Sequence, residues 1–230
     1  MAECHIPKLY PFPGWHKEEH MSIKLEILPP TSRRLRLSVP RKMRHWVCWY
    51  AQGAAELLHV TTGQWIVHLV EDQRMIQYHQ RTMNLATTTD VLTYNYTDTD
   101  RKDAPLDLET IICVDEAERQ ARIRPHRRAE LEILLYCIHS LLHCIGYDDR
   151  SIRRAGIMHR KEDFILQQMG LPAVYYTGSG TKPPQRLYRI TDTAIEKNGP
   201  LPGAGAGAEA EAGGMVRTKT LPCRSHGVRR

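Results

Sequence analysis

The feature that most constrains the fold is an apolar helical pattern that ends in two histidines and a glycine. Leucines and isoleucines recur at helical spacing over residues 127–145, and His139 and His143 lie four residues apart along the border of this pattern. Because a helix turns once in about 3.6 residues, both imidazoles project from one face and can bind one metal ion. Gly146 can adopt the left-handed conformation that ends a helix, so the following residues can turn back. The pattern predicts a metal site on a helix and the turn after it.

Two aspartates follow this glycine and offer a third ligand. Asp148 and Asp149 are adjacent in the chain, and spacing alone does not choose between them. Imidazole and carboxylate ligands suit zinc, and three protein ligands leave a fourth position for a water whose pKa falls to about 7. The alternative is that His139 and His143 are polar residues at the edge of a core, since histidine pairs at this interval also occur by chance.

The run from His139 to Asp149 resembles the signature of the YbeY family of bacterial and organellar endoribonucleases, written H-G-x-L-H-L-x-G-Y-D-H. His139 and His143 match the first two family ligands, whereas Ser140 replaces the usual Gly and Asp149 stands where the third His belongs. The resemblance implies one Zn²⁺ held by His139, His143 and Asp149, with no catalytic side chain assigned beyond the metal-bound water. It implies that Asp148 orients a neighbouring ligand or the turn. A carboxylate as third ligand adds negative charge and is expected to weaken the Lewis acidity of the metal.

Two more segments carry the resemblance along the chain. Thr89–Tyr94 is similar to the family's P-T-D-V-L-S-F strand, and Leu108–Ala117 is similar to the strand and helix start that follow it. Met158 and Glu162 stand at the spacing of the family's closing M-x-x-x-E helix. Asp90 can also be interpreted without chemistry, as a carboxylate that hydrogen-bonds a neighbouring turn. Three ordered matches extend the resemblance over about residues 21–172.

Basic residues are numerous and flank the predicted site in sequence. The chain has 32 Lys and Arg against 26 Asp and Glu, a formal net charge of +6, and such a field attracts polyanions such as RNA. Arg150, Arg153 and Arg154, which follow the metal helix, are candidate RNA-binding residues together with Arg81. The family often carries an arginine associated with RNA handling where this chain has Met83. Interleaved glutamates allow the alternative that much of the charge is paired within helices.

The order of hydrophobic patterns predicts a single α+β domain with a mixed β-sheet covered by helices. Alternation predicts two strands within 22–39 and further strands at Trp65–Leu69, Thr89–Tyr96 and Ile111–Val114. Helical spacing predicts helices over about 41–58, 72–83 with Asp72 as its cap, 127–145 and 151–169, and one opened by a capping box of Asp115 and Glu118.

Length and composition predict one catalytic domain with additional ends. Residues 1–20 are interpreted as an N-terminal extension, 21–172 as the YbeY-like domain, and 173–230 as a linker and a Gly/Ala-rich, basic-ended tail predicted to be disordered. No apolar run approaches the roughly 18 residues needed to cross a bilayer, which favours a cytoplasmic protein without a membrane partner. Six cysteines without a C-x-x-C pair predict free thiols.

The function implied by the resemblance is a zinc-dependent endoribonuclease specific for single strands, acting in ribosome biogenesis and in maturation of the 3′ end of small-subunit ribosomal RNA. Ribosomal RNA and the small subunit are the implied partners, and no protein partner is indicated. One alternative is an RNA-binding ribosome-assembly factor whose degenerate metal site no longer catalyses. A zinc peptidase is less consistent, because H-E-x-x-H would place Glu after His139, where this chain has Ser140.

Overall fold

A computed structural model describes residues 22–98, 101, 104–126 and 128–176, which form four strands and six helices. The elements are β1 (Ser22–Ile27), α1 (Arg33–Ser38), α2 (Arg41–Leu57), β2 (Thr62–Val70), α3 (Asp72–Met83), β3 (Val91–Asn95), β4 (Leu106–Cys113), α4 (Val114–Ile123), α5 (Ala129–Cys144) and α6 (Ile152–Gln168). The predicted extension at 1–20 and residues 177–230 of the predicted tail lie outside the described residues.

The four strands form one sheet in the order β1-β2-β4-β3. β1 and β4 both pair parallel with β2, and β3 pairs antiparallel with β4. Inside the sheet the indole N–H of Trp65 donates to the hydroxyl of Thr110 at 2.9 Å, so this buried ring satisfies its polar atom. The mixed sheet and its helices confirm the predicted α+β class.

The main hydrophobic core lies on one face of this sheet. Trp65, Val67 and Leu108 project from the strands and pack with Leu134 and Ile138 of α5, in a cluster that also includes buried residues of α1, α2, α4 and α6. The helix that carries the two histidines is therefore the central element of the core. Its position is set by apolar packing on several sides rather than by contacts at its ends.

Of the described helices, α3 covers part of the opposite face. Met75 of α3 is fully buried against Leu92, Ile111 and Cys113, which alternate along the strands with the residues of the main core. This alternation is the two-residue period of a sheet covered on both faces. It places α3 and α5 on opposite sides of the sheet.

The prediction of a second strand before residue 39 was wrong, because this segment forms α1. Leu35 and Val39 are buried at 2% and 1% exposure, four residues apart, whereas Leu37 between them is 76% exposed. The Ser32 side chain accepts the N–H of Leu35 at 3.1 Å and caps the helix. Arg34 forms ion pairs with Glu71 and Asp115. Contacts distant in sequence thus decide between two patterns that the local sequence allows equally.

The predicted caps of α3 and α4 were also wrong in detail. Both helices begin without a side-chain cap hydrogen bond, at Glu71 and Cys113. Asp115 accepts the backbone N–H of Asp72 at 2.9 Å and so serves the start of α3 instead of its own helix. The Asp72 carboxylate is held by Arg119, at 2.7 and 2.8 Å. The first turns of α3 and α4 are therefore joined by the hydrogen bond from Asp72 to Asp115 and by the ion pair between Asp72 and Arg119.

The remaining elements agree with the sequence patterns to within a few residues, except that β4 begins at Leu106 and is longer than predicted. The free thiols that the structure describes are Cys48, Cys113, Cys137 and Cys144, as predicted. Within the described ranges, no helix combines the length and the apolar character that a membrane span requires.

Candidate metal centre

The helix that carries the histidines is almost completely enclosed. Every residue from Leu131 to Leu142 is buried, and the predicted helix is confirmed with observed bounds Ala129–Cys144. A helix that is apolar around most of its circumference belongs in the interior of a domain. His139, at 7% exposure, is thus presented from a rigid support.

The chain reverses direction immediately after α5. Gly146 has a φ of +97°, in the left-handed region that glycine adopts without steric cost. The N–H groups of Gly146 and Tyr147 donate to the carbonyls of His143 and Leu142 at 3.1 and 3.0 Å, which is the hydrogen-bond pair of a Schellman motif. This closure turns the next residues back toward the histidines.

The turn brings Asp149 to both imidazoles. The Nε2 atoms of His139 and His143 lie 3.0 Å apart, and each lies 3.8 Å from a carboxylate oxygen of Asp149. One ligand atom from each of the three residues falls within 4.8 Å of the others. The three side chains predicted to share a metal ion are therefore gathered at one point.

The outer nitrogens of both histidines are already engaged. Nδ1 of His139 lies 2.7 Å from a carboxylate oxygen of Glu162, and Nδ1 of His143 lies 3.0 Å from the carbonyl oxygen of Tyr147. Because these oxygens accept hydrogen bonds, each Nδ1 carries the proton in the neutral ring and each Nε2 presents a lone pair. Two lone pairs that face each other at 3.0 Å repel unless a cation lies between them, and either a proton or a metal ion can take that place.

The spacing of the donor atoms also fits a tetrahedral ion. Zinc bonds of about 2.0–2.1 Å place neighbouring ligand atoms about 3.4 Å apart. The separations of 3.0 Å between the two imidazoles and 3.8 Å from each imidazole to the carboxylate lie on either side of that value. Shifts of a few tenths of an ångström in these side chains would give each of them a normal bond to one ion.

The surroundings shift the pKa values of the two rings in opposite directions. Burial lowers the pKa of His139, but the contact with Glu162 and the charges of Asp90 and Asp149 outweigh it, so that the pKa lies above its ordinary value. Burial and the nearby charge of His139 lower the pKa of His143. The pocket thus favours one positive charge between two rings and several carboxylates, which is the electrostatic setting of a bound cation.

Asp148, next to Asp149 in the chain, is bound by two arginines. Arg150 Nε lies 3.0 and 3.1 Å from its oxygens and Arg154 approaches at 2.5 Å, while the backbone N–H of Arg150 donates to it at 3.1 Å. Partial burial raises the pKa of Asp148, but these contacts dominate and lower it to about 2. Asp148 therefore ties the turn that bears Asp149 to Arg154 in the first turn of α6, and its orienting role remains a prediction from the resemblance.

The structure separates the four candidate RNA-binding arginines. Arg150, Arg153 and Arg154 lie exposed beside the turn that carries Asp149, and two of them are paired with Asp148. Arg81 is exposed on the last turn of α3, on the opposite side of the sheet from α5. Only the first three are thus brought near the metal ligands.

Sequence reasoning did not assign a role to Glu162, although the family resemblance included it. Its side chain is 0% exposed and fixes the His139 ring from α6. Ser140 accepts a hydrogen bond from Thr93 at 2.9 Å and donates to the Tyr136 carbonyl at 2.9 Å, so the residue that replaces the family glycine links α5 to β3. Apart from the hydrogen bond within α5, these contacts join residues at least 23 positions apart. No local sequence pattern predicts them.

Asp90 shows the hydrogen bonds of the non-chemical interpretation. It accepts the backbone N–H of Val91 at 2.8 Å and the hydroxyl of Thr89 at 3.1 Å. Burial raises the pKa of Asp90, and the charge of His139 opposes that shift. Its carboxylate therefore both closes the turn before β3 and adds negative potential at the histidines.

A second buried polar group lies in the first turn of α5. Glu132 is 0% exposed, and one of its oxygens lies 3.0 Å from Arg124 Nε and 2.9 Å from His126 Nε2. Burial raises the pKa of Glu132 to about 7, against the charge of Arg124. Glu132, Tyr136, His139 and His143 follow one another at helical spacing, so one stripe of α5 is polar over its length.

Comparison with known proteins finds one family along most of the described chain. The family model for Endoribonuclease YbeY matches residues 33–170. An Endoribonuclease YbeY of Chlorobium limicola is 39% identical over 80 residues, 35% of this chain and 52% of that protein. One of Desulfitobacterium hafniense is 30% identical over 132 residues, 52% of this chain and 83% of that protein. The chain thus spans about half the length of the first relative and most of the second.

One solved structure also matches this chain in part. The solution structure of TM1509 from Thermotoga maritima covers 64% of this chain and 88% of that chain, with 21% identity and a TM-score of 0.38.

Proposed function

Because this chain belongs to the Endoribonuclease YbeY family, we propose that it hydrolyses phosphodiester bonds in single-stranded RNA at a zinc ion held by His139, His143 and Asp149. The observation that carries the proposal is the convergence of one ligand atom from each of these residues within 4.8 Å, at the positions that the family signature indicates. Two imidazole nitrogens and one carboxylate oxygen form the donor set of an open zinc site.

The protein's own residues prepare this site in three ways. Glu162 and the Tyr147 carbonyl hold the two rings so that both Nε2 atoms face the same point, which removes the entropy cost of orienting them. Asp148 and its arginines fix the turn that bears Asp149. A bound divalent ion would supply a Lewis acid and an activated water at neutral pH. Arg153 and its neighbours would hold the RNA backbone beside it.

The third ligand distinguishes this site from one with three imidazoles. The Asp149 carboxylate brings a negative charge to the ion, and Asp90 and Glu162 add to it. Such a site stabilises developing negative charge on a phosphate less strongly than a neutral donor set would. We therefore expect slower turnover than a variant with His at position 149, provided that Asp149→His folds and binds the same ion.

The biological substrate that we propose is ribosomal RNA, at the 3′ end of the small-subunit molecule, with the small subunit as partner in the cytoplasm. Support comes from the family membership, from the net charge of +6 and from the exposed arginines beside the site. A basic surface of this kind favours association with a large polyanion.

The proposal is tested by metal analysis of the purified full chain together with a cleavage assay on single-stranded and duplex RNA. We expect about one zinc per chain, cleavage of the single strand, and loss of cleavage with a chelator that zinc restores. Tight RNA binding without metal and without cleavage would instead support the assembly-factor alternative. His143→Ala should abolish cleavage, and His45→Ala, an exposed histidine of α2, is the matched control.

A further inference from the structure

The chain that follows α6 is folded back and clamped by a buried carboxylate. Gly170, with a φ of +69°, ends the helix. Asp163 of α6, at 5% exposure, then accepts the backbone N–H groups of Val174, Tyr175 and Tyr176 at distances of 2.7 to 3.3 Å. A buried carboxylate that accepts three successive N–H groups holds the backbone in one conformation. Tyr175 is therefore presented by a fixed segment.

This segment places Tyr175 in a column of flat side chains. Its ring stacks on that of His159, with ring centroids 3.9 Å apart and planes within 10°. The guanidinium carbon of Arg124 lies 4.9 Å from the centroid of the same tyrosine ring. The three groups come from α6, from the segment after it and from the connection between α4 and α5. All three are half-buried, so part of each remains at the surface.

The column lies beside the metal centre. His159 is three residues before Glu162, one helical turn away on the same side of α6, and Glu162 contacts His139 at 2.7 Å. Burial lowers the pKa of His159, and the charges of Glu162, His139, Arg124 and Asp149 also act on this ring. A neutral, planar ring is thus held near the position where the RNA backbone would be cut.

The chemistry of the column fits a nucleobase better than a phosphate. Nε of Arg124 lies 3.0 Å from a carboxylate oxygen of Glu132, which offsets part of the guanidinium charge when Glu132 is ionised. Glu162 and Asp149 add negative charge nearby, which disfavours a second phosphate at this place. Aromatic rings and arginine planes stack on unpaired bases, at about 1–3 kcal/mol per base.

We propose that His159, Tyr175 and Arg124 form a stacking platform that binds an unpaired base of the RNA next to the bond that the metal centre cuts. This inference rests on the proposed function and gives it a structural source of single-strand preference. Bases in a duplex are already stacked and paired, and extruding one costs several kcal/mol. A platform of this kind therefore accepts single strands and discriminates against duplexes.

The test measures binding rather than cleavage, with the full zinc-loaded chain. The probes are a labelled oligoadenylate of about 12 nucleotides and a duplex of the same length, both 2′-O-methyl phosphorothioates that resist hydrolysis. His159→Ala should weaken single-strand binding about tenfold and leave duplex binding unchanged. His159→Phe, which keeps a flat ring, should retain binding within about twofold, and His45→Ala should change neither affinity.

Three results would overturn the platform: unchanged single-strand affinity in His159→Ala, an equal loss for single strand and duplex, or a loss in His159→Phe as large as in His159→Ala. A purely structural role of the column predicts the second or the third. Failure of the proposed function gives a different result. In that case the natural chain does not cut RNA, whatever the RNA affinities of the histidine variants. A natural chain that cuts RNA, with His159→Ala binding and cutting equally well, would remove the platform alone.

Discussion

At the scale of single residues, Asp148 and Asp149 are adjacent but have different partners. Asp149 faces two imidazole nitrogens at 3.8 Å, and Asp148 binds Arg150 and Arg154. Asp149→Ala should lower zinc affinity by more than the roughly 10–100-fold that the loss of an outer hydrogen-bond partner costs, and Asp148→Ala by less than this. Zinc content after dialysis and competition with a chelating dye measure both. Retention of zinc in Asp149→Ala, with loss in Asp148→Ala, would reverse the assignment.

Glu132 gives a prediction about pH. Its pKa rises from an ordinary 4.5 to about 7, mainly by burial, so between these values the folded protein holds a proton that the unfolded chain has released. The stability contributed by this proton is complete below the unfolded pKa and is lost as the pH rises through about 7. Glu132→Gln removes the titration, and relative to the natural chain it should gain roughly 2 kcal/mol between pH 5 and pH 8.

Urea unfolding of both proteins at these two pH values, with chelator present, measures the difference. The comparison between the two chains cancels the titration of the histidines remote from Glu132, and His126→Gln in both chains removes that of the one histidine in contact with it. A difference in unfolding free energy that stays constant from pH 5 to pH 8 would contradict a raised pKa at this position.

At the scale of elements, the pairing of β2 with β4 depends on one glycine. Gly63 has a φ of +125°, and a Cβ placed there would lie 2.1 Å from the carbonyl oxygen of Leu106. Gly63→Ala should therefore cost about 3 kcal/mol of unfolding free energy or prevent folding. Gly156 in α6 is the matched control, since its nearest neighbour would be the flexible end of Arg160 at 3.6 Å. Gly156→Ala should stabilise the chain by about 0.5–1 kcal/mol. Urea denaturation measures both, and equal effects would argue against the close strand contact.

The helices and strands also show which parts of the fold can be predicted from the sequence alone. The long helices α2, α5 and α6 were predicted to within a few residues because their apolar faces repeat over several turns. The six-residue α1 was predicted as a strand, since Leu35, Leu37 and Val39 fit a period of two as well as contacts four residues apart. Its helical form is favoured by packing in the main core, which buries Leu35 and Val39 and leaves Leu37 exposed.

The candidate site also has parts that the sequence predicts and parts that it does not. The two histidines and the turn after them were predictable, because helical spacing and a glycine end are local properties of the chain. The choice of Asp149 over Asp148 rested on family resemblance. Glu162, Ser140 with Thr93, and the column around Tyr175 depend on packing between segments distant in sequence, which no single-chain pattern specifies.

At the scale of the whole molecule, the charge of +6 predicts salt-dependent RNA binding if the proposed function holds. Log affinity should fall linearly with log salt concentration, by about 0.7 per phosphate contact for a single strand. Arg153→Ala should remove about one such contact. Arg150→Ala should change the slope less, because Arg150 is already paired with Asp148. Fluorescence anisotropy between roughly 50 and 200 mM salt measures these slopes. A larger loss for Arg150 than for Arg153 would contradict this ranking.

The enclosure of α5 has a practical consequence for handling the protein. Because apolar packing rather than ligand bonds holds this helix in place, an empty chain should keep its shape through chelation and remain ready for reloading. Cobalt could then be introduced into the vacant pocket as a coloured reporter, and its visible absorption would follow ligand number and solvent access during turnover.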